Sequence, residues 1–162
     1  MAVDYFLKID QIEGESKDSK HANELQLLSW SWGESNSGSA GTGTGSGAGK
    51  VNMSDFSFMI QQGKSSPKLK LHCAAGTHLA NAVLTCRKAG GSPTEPGLEY
   101  NTVTFNEVLI SSYQISGSSE IPMESVSFNF VEIDEVYKPQ LPDGSLGDNI
   151  TFKWNVATNV GE

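Results

Sequence analysis

The chain has 162 residues, with 19 acidic against 11 basic side chains, for a formal charge of −8 and a pI near 4.8. One arginine, Arg87, is present, and the acidic balance argues against nucleic acid or an anionic membrane as partner, since a phosphate-binding footprint needs clustered Lys and Arg. Two cysteines, Cys73 and Cys86, cannot build a disulfide framework, and the length favours one domain over residues 1–162.

Val3, Tyr5, Leu7 and Ile9 alternate with Asp4, Lys8 and Asp10, the pattern of a half-buried strand with Phe6 as an exception. The start, Met1-Ala2-Val3-Asp4-Tyr5, carries an acid where a signal peptide needs basic residues. No run reaches the about 18 apolar residues of a membrane helix. These features predict synthesis in the cytoplasm, no membrane insertion, and export, if any, without a cleaved signal. Gln11 to Asn23 is polar and reads as an exposed loop. Glu24 to Trp32 reads as one strand, with Leu28, Trp30 and Trp32 on one face and Leu25, Leu27, Ser29 and Ser31 on the other. That second face begins apolar and ends in small hydroxyls, so its end is expected to meet water or a partner.

A glycine-rich run follows: Gly33, Gly38, Gly41, Gly43, Gly45, Gly47 and Gly49, interleaved with Ser, Thr and Ala. Strand patterns enter and leave it, and structureless connections longer than about 12–15 residues are usually functional or disordered. Val51 and Met53 then occupy one phase and Phe56, Phe58 and Ile60 the other, which predicts a bend at Ser54-Asp55. Ser66-Pro67 reads as N-cap and first helical residue of a short helix through Leu69, His72 and Cys73, stopped by Gly76.

Ala82 to Lys88 reads as a strand with Ala82, Leu84 and Cys86 on one face, and Ala89 to Gly97 reads as a turn or loop. Glu99 to Gln114 has Val103 and Phe105 in one phase and Val108 and Ile110 in the other. Met123 to Tyr137 repeats the switch, with Val126, Phe128 and Phe130 followed by Val131, Ile133 and Tyr137. Asp143-Gly144 signals a turn. Ile150, Phe152, Trp154 and Val156 alternate in a last strand. Seven strand-like runs with one helix predict a mainly β fold: a small β-barrel of two sheets, one short flanking α-helix and a long Gly-rich loop.

Catalytic and cofactor patterns fail on spacing. Gly49-Lys50 ends the glycine run like a phosphate loop, but Thr44 stands where a glycine is needed, Val51 where Ser or Thr should bind magnesium, and a strand follows instead of a helix. His72, Cys73, His78 and Cys86 lack metal-ligand spacing and read as small buried thiols and rim histidines. No Gly-x-Ser-x-Gly elbow is present. Glu132, Asp134 and Glu135 read as a solvated strand face. No catalytic residue, cofactor or metal is expected. Glycine-rich backbone flanked by Trp30, Trp32, Phe56 and Phe58 instead fits close approach to another protein, and sheet edges that pair head to tail close into rings or run into filaments. Two readings stay open: a self-assembling structural protein, and a monomeric ligand-binding barrel whose glycine loop is a lid.

The ordered set Gly14-Glu15-Ser16-Lys17-Asp18 with His21, Trp30-Ser31-Trp32-Gly33, Gly47-Ala48-Gly49-Lys50-Val51 and Asp55-Phe56-Ser57-Phe58 resembles the haemolysin-coregulated protein (Hcp) family, the tube protein of the bacterial type VI secretion system. Arg87-Lys88-Ala89-Gly90-Gly91, Val108-Leu109-Ile110-Ser111-Ser112, Val126-Ser127-Phe128-Asn129-Phe130 and Tyr137-Lys138-Pro139-Gln140 extend it over nearly the whole chain, though not through 59–63 and 92–98. The resemblance implies a non-enzymatic homohexameric ring. Such rings stack into a hollow tube inside a contractile sheath, capped by a spike protein, and the tube is expelled towards a target cell. It also implies that effector proteins are held in the lumen, with Ser31 at the effector-contact position. The glycines from Gly33 to Gly49 would form the loop that reaches a neighbouring ring.

Overall fold

A computed structural model describes residues 3–38, 49–90 and 93–162. Among the described residues are eleven strands and one helix: β1 (Val3–Ile9), β2 (Leu25–Leu27), β3 (Ser29–Ser31), β4 (Glu34–Asn36), β5 (Val51–Met53), β6 (Phe56–Gln61), α1 (Ser66–Ala75), β7 (His78–Lys88), β8 (Leu98–Ser116), β9 (Met123–Tyr137), β10 (Ile150–Asn155) and β11 (Val160–Gly161). Every described strand pairing is antiparallel. Nine strands form one large sheet and β4–β5 a small one.

The spine is the long β8–β9 hairpin. One edge of β9 follows β8 throughout. The other edge pairs β6 through Met123–Phe128 and β10 through Glu132–Tyr137, so the sheet forks there. The ladders do not close into the continuous barrel expected from the sequence. The break sits at Leu28: β2 pairs β1, β3 pairs β6, and the chain itself crosses between them. That crossing also corrects the single strand from Glu24 to Trp32. Leu25, Leu27 and then Trp30 face the core, while Leu28, expected beside Trp30, is 52% exposed.

The mid-strand phase switches have a shared cause. Ala82, Phe105 and Ile133 lie in one cross-strand row, and Leu79, Val108 and Phe130 in another; all six face inward. Between the rows, β7, β8 and β9 each spend two residues rather than one, with Glu107 at φ 54. Register across the three strands is kept while the inward face rotates, which is how a coiled sheet wraps a core. The bend predicted at Ser54-Asp55 is where the chain leaves the small sheet for the large one.

The core is aromatic. Phe56 lies 5.0 Å from both Phe105 and Phe128, ring centre to ring centre, and Trp30 stacks on it at 5.9 Å. Such pairs contribute about 0.5–1.5 kcal/mol each beyond area burial. Ala82, Leu84 and Cys86 are buried as their alternation predicts.

Two local readings need correction. The helix N-cap is Ser65, not Ser66. Ser65 makes no side-chain cap bond, and Ser66 lies inside the first turn, with its hydroxyl donating to Glu124. Gly76 ends the helix in the left-handed conformation at φ 63, with its N–H on the His72 carbonyl. Gln11 to Asn23 is not simply exposed. Ser16 and His21 are buried, and the segment is bonded back on itself through Gly14 N–H to Asn23 O (2.8 Å) and Asn23 N–H to Ser16 O (2.8 Å). His21 stacks on Phe6, and its ring nitrogens lie 2.7 Å from Glu24 and 2.7 Å from Glu99. This is why Phe6 breaks the alternation of β1: it points outward and is covered by the loop.

Candidate functional site

Ser31 is exposed on β3, as its hydroxyl-ended face predicts. Cross-strand partners share a face of a sheet, and the register extends Ser31 into a row. Ser31 pairs Ser57 on β6, Ser57 pairs Ser127 on β9, and Ser127 pairs Ser112 on β8. The next row of that face is Ser29, Met59, Ser125 and Gln114. No charged side chain stands in either row, in a chain carrying −8.

At the far end a register shift between Ile110 and Ser112 adds one residue to β8. Ser111 and Ser112 both reach Ser127, at 2.8 and 2.6 Å between hydroxyl oxygens, and Ser111 donates to Asp55 Oδ2 at 2.6 Å. The face is therefore a hydroxyl pad with one carboxylate at its margin and Met59, 40% exposed, as its apolar centre. It can exchange hydrogen bonds with a neutral surface and take a small apolar contact. It holds no nucleophile–base pair. The row is invisible along the chain because each serine comes from a different strand, although the alternation Ser125-Val126-Ser127-Phe128 marks the face locally.

The glycine run is anchored next to this pad. Ser54 clasps Gly33: its Oγ accepts from Gly33 N–H at 2.8 Å and donates to Gly33 O at 3.0 Å. The run then enters the β4–β5 ribbon, so its beginning is strand rather than loop. A Cβ on Gly33 would meet nothing within 4 Å, so space does not require glycine there. Gly38 N–H donates to Asn36 Oδ1 and Asn36 Nδ2 to Gly49 O, at 2.9 and 2.7 Å. A Cβ on Gly49 would lie 2.7 Å from Ser37 Oγ and 3.0 Å from Gly38 N, so the ribbon closes this tightly only with glycine at 49. Gly41, Gly43, Gly45 and Gly47 lie outside the described residues.

Other chemistry singled out by sequence disperses. Cys86 is buried in the core, where desolvation pushes its thiol up to about 12. His72 Nδ1 shares a hydrogen bond with the Thr77 hydroxyl, and His78 opens β7. Among the described residues, no three His, Cys, Asp or Glu side chains are grouped to hold a metal. No helix among them is long and apolar enough to cross a membrane.

Residues 6–137 match the family model described as type VI secretion system effector, Hcp. The chain is 50% identical to Protein hcp1 of Pseudomonas aeruginosa over 163 residues, covering 99% of each. The crystal structure of Hcp1 from Salmonella typhimurium superposes with a TM-score of 0.81 at 34% identity, over 100% of both chains. A structure described as a type six secretion system protein gives 0.90 at 29% identity, over 99% of this chain and 100% of that one. A type VI secretion system effector from Yersinia pestis gives 0.75 at 32%, over 94% and 100%. The chain belongs to the Hcp family of the type VI secretion system.

Proposed function

We propose that this chain is a non-enzymatic tube subunit: a homohexameric ring that stacks into a hollow tube and carries effector proteins in its lumen. The tube would act with a spike protein and a contractile sheath, and leave the cytoplasm without a cleaved signal peptide. The observation that carries this reading is the hydroxyl face around Ser31, whose two cross-strand rows hold no charged side chain. A surface that must hold varied cargo and release it gains from weak, neutral contacts, because desolvated charges would demand a matched partner. Negative-stain microscopy of the purified protein tests the assembly: rings with a central hole are expected, and a strict monomer at all concentrations would refute it.

Two expected results separate the roles of pad and loop. Ser31→Arg introduces a cation among neutral hydroxyls at an exposed position, where substitutions usually change stability by no more than about 0.5 kcal/mol. Rings should persist while co-purified cargo falls; unchanged cargo would remove Ser31 from the lumen. Replacing residues 41–47 with a short turn leaves every described strand intact. Sedimentation should then show rings of unchanged mass that no longer stack, whereas loss of the rings themselves would assign the run to the lateral contact.

A further inference from the structure

We propose that the exposed face of helix α1 docks into the cleft between the β4–β5 ribbon and β10 of a second copy of this chain. The inference rests on the ring reading above and deepens it by naming the two surfaces that meet between neighbours.

The helix is unusual in what it turns outward. Leu69 is fully buried against the sheet, yet Leu71 is 62% exposed. Lys68, Leu71 and Ala75 follow at three- and four-residue spacing on one exposed stripe, with Lys64, ion-paired to Glu13 at 3.4 Å, one turn earlier. No carboxylate occurs between Lys64 and Ala75, although acids outnumber bases in the chain. Lys68 reaches only the Gln11 carbonyl, at 3.3 Å in an exposed position. A basic stripe with one apolar anchor is the form of a groove-binding helix.

The matching cleft arises from the fork in β9. Beyond it, β10 pairs β9, and Phe152 and Trp154, packed against the margin of the core, are only half-buried. Together with Val51 and Glu34, Ser35 and Asn36 of β4 they line a cleft of about 410 Å³ open to solvent. Its charged lining residue is Glu34, exposed and without an ion pair among the described residues. On the adjoining half of β9, Glu135 pairs Phe152 and shares its face, while Glu132 and Asp134 pair Asn155 and Lys153 on the opposite face. An apolar slot with Glu34 at its rim complements an apolar anchor, Leu71, with Lys68 beside it. Because helix and cleft are different surfaces of one chain, the contact is head-to-tail, the type that can close into a ring.

The experiment measures native mass for the wild type, for Leu71→Asp, for Ser35→Trp, which fills the cleft from an exposed position, and for both variants mixed. Wild type should give the ring, and each variant alone a monomer that still unfolds cooperatively, melting lower only by the stabilisation that assembly gives. The mixture should give dimers, since each variant keeps one working surface. Lys68→Glu should weaken assembly roughly two- to fivefold per contact, and adding Glu34→Lys should restore it. Rings of both single variants at wild-type yield would overturn the docking while leaving the ring reading intact. A monomeric wild type would overturn both.

Discussion

Arg87→Met is expected to lower stability by about 3–5 kcal/mol at neutral pH, the usual cost of removing one partner from a buried ion pair. For a chain of this length that corresponds to a fall of roughly 10 °C in melting temperature. The guanidinium is the lone arginine and its side chain is 5% exposed. It donates to both oxygens of Asp18, at 2.9 and 2.6 Å, and to Asp4 Oδ2 at 3.1 Å, and its carbon lies 4.8 Å from the Phe6 ring centre. Methionine would fill the volume but strand Asp18, whose carboxylate is 16% exposed. The hydrogen bonds from Arg87 hold Asp18 well below the usual carboxylate range, outweighing the opposing effect of its burial. A depressed carboxylate stabilises the fold above its unfolded pKa, and that stabilisation fades as pH falls through the native value. Wild type should therefore lose stability below about pH 4, and Arg87→Met should lose less over the same range. Thermal melts as a function of pH check both parts; a cost under about 1 kcal/mol would show that the pair is not a fastener of the loop. Asp18→Asn added to Arg87→Met should recover part of the loss, because the stranded charge is gone.

Glu124 should behave with the opposite sign. Its side chain is fully buried on β9, accepts from Ser66 Oγ at 2.9 Å, and is bonded by the Tyr113 hydroxyl. Burial raises its pKa, with the Ser66 bond and Lys70 opposing. A raised carboxyl binds its proton more tightly when folded. Stability therefore rises as pH falls from that raised value to the ordinary value near 4.5, and is lost as pH rises. Glu124→Gln can still accept from Ser66 and can donate to Tyr113 Oη, without a buried charge. It should melt higher than wild type at neutral pH and match it below about pH 4. Glu124→Ala leaves two hydroxyls without their acceptor and should cost about 1–3 kcal/mol for each group that stays buried. A neutral-pH melt in which Gln is as damaging as Ala would mean that the ionised carboxylate itself holds α1 to the sheet.

Much of the fold was legible in the chain, because alternation reports which side of a strand is wet. Val3 to Ile9, Ala82 to Lys88 and the paired phases around Glu107 all appear in the sequence, as do the bend at Ser54-Asp55 and the stop at Gly76. The resemblance carried by Trp30-Ser31-Trp32-Gly33 and its companions led to the family that the matched model and relatives show. The errors share one origin. Ser66 looked like a cap because capping residues resemble any short polar residue, and the buried Glu124 that occupies its hydroxyl is 58 positions away. Gln11 to Asn23 looked exposed because polar composition cannot reveal that Arg87 and His21 would fasten it over Phe6.

By itself the sequence determined a β-rich, strongly acidic chain without recognisable catalytic spacing, with Ser31 on a face that leaves the core. Only the tertiary structure decided which strands stand beside Ser31, and so joined Ser57, Ser127 and Ser112 to it in one hydroxyl pad. It alone also opened the ladders at Leu28 and forked β9 to leave Phe152 and Trp154 in a cleft. The reason is physical. Periodicity encodes inside against outside for each strand separately, whereas neighbours across a sheet are set by hydrogen-bond register between segments far apart in the chain.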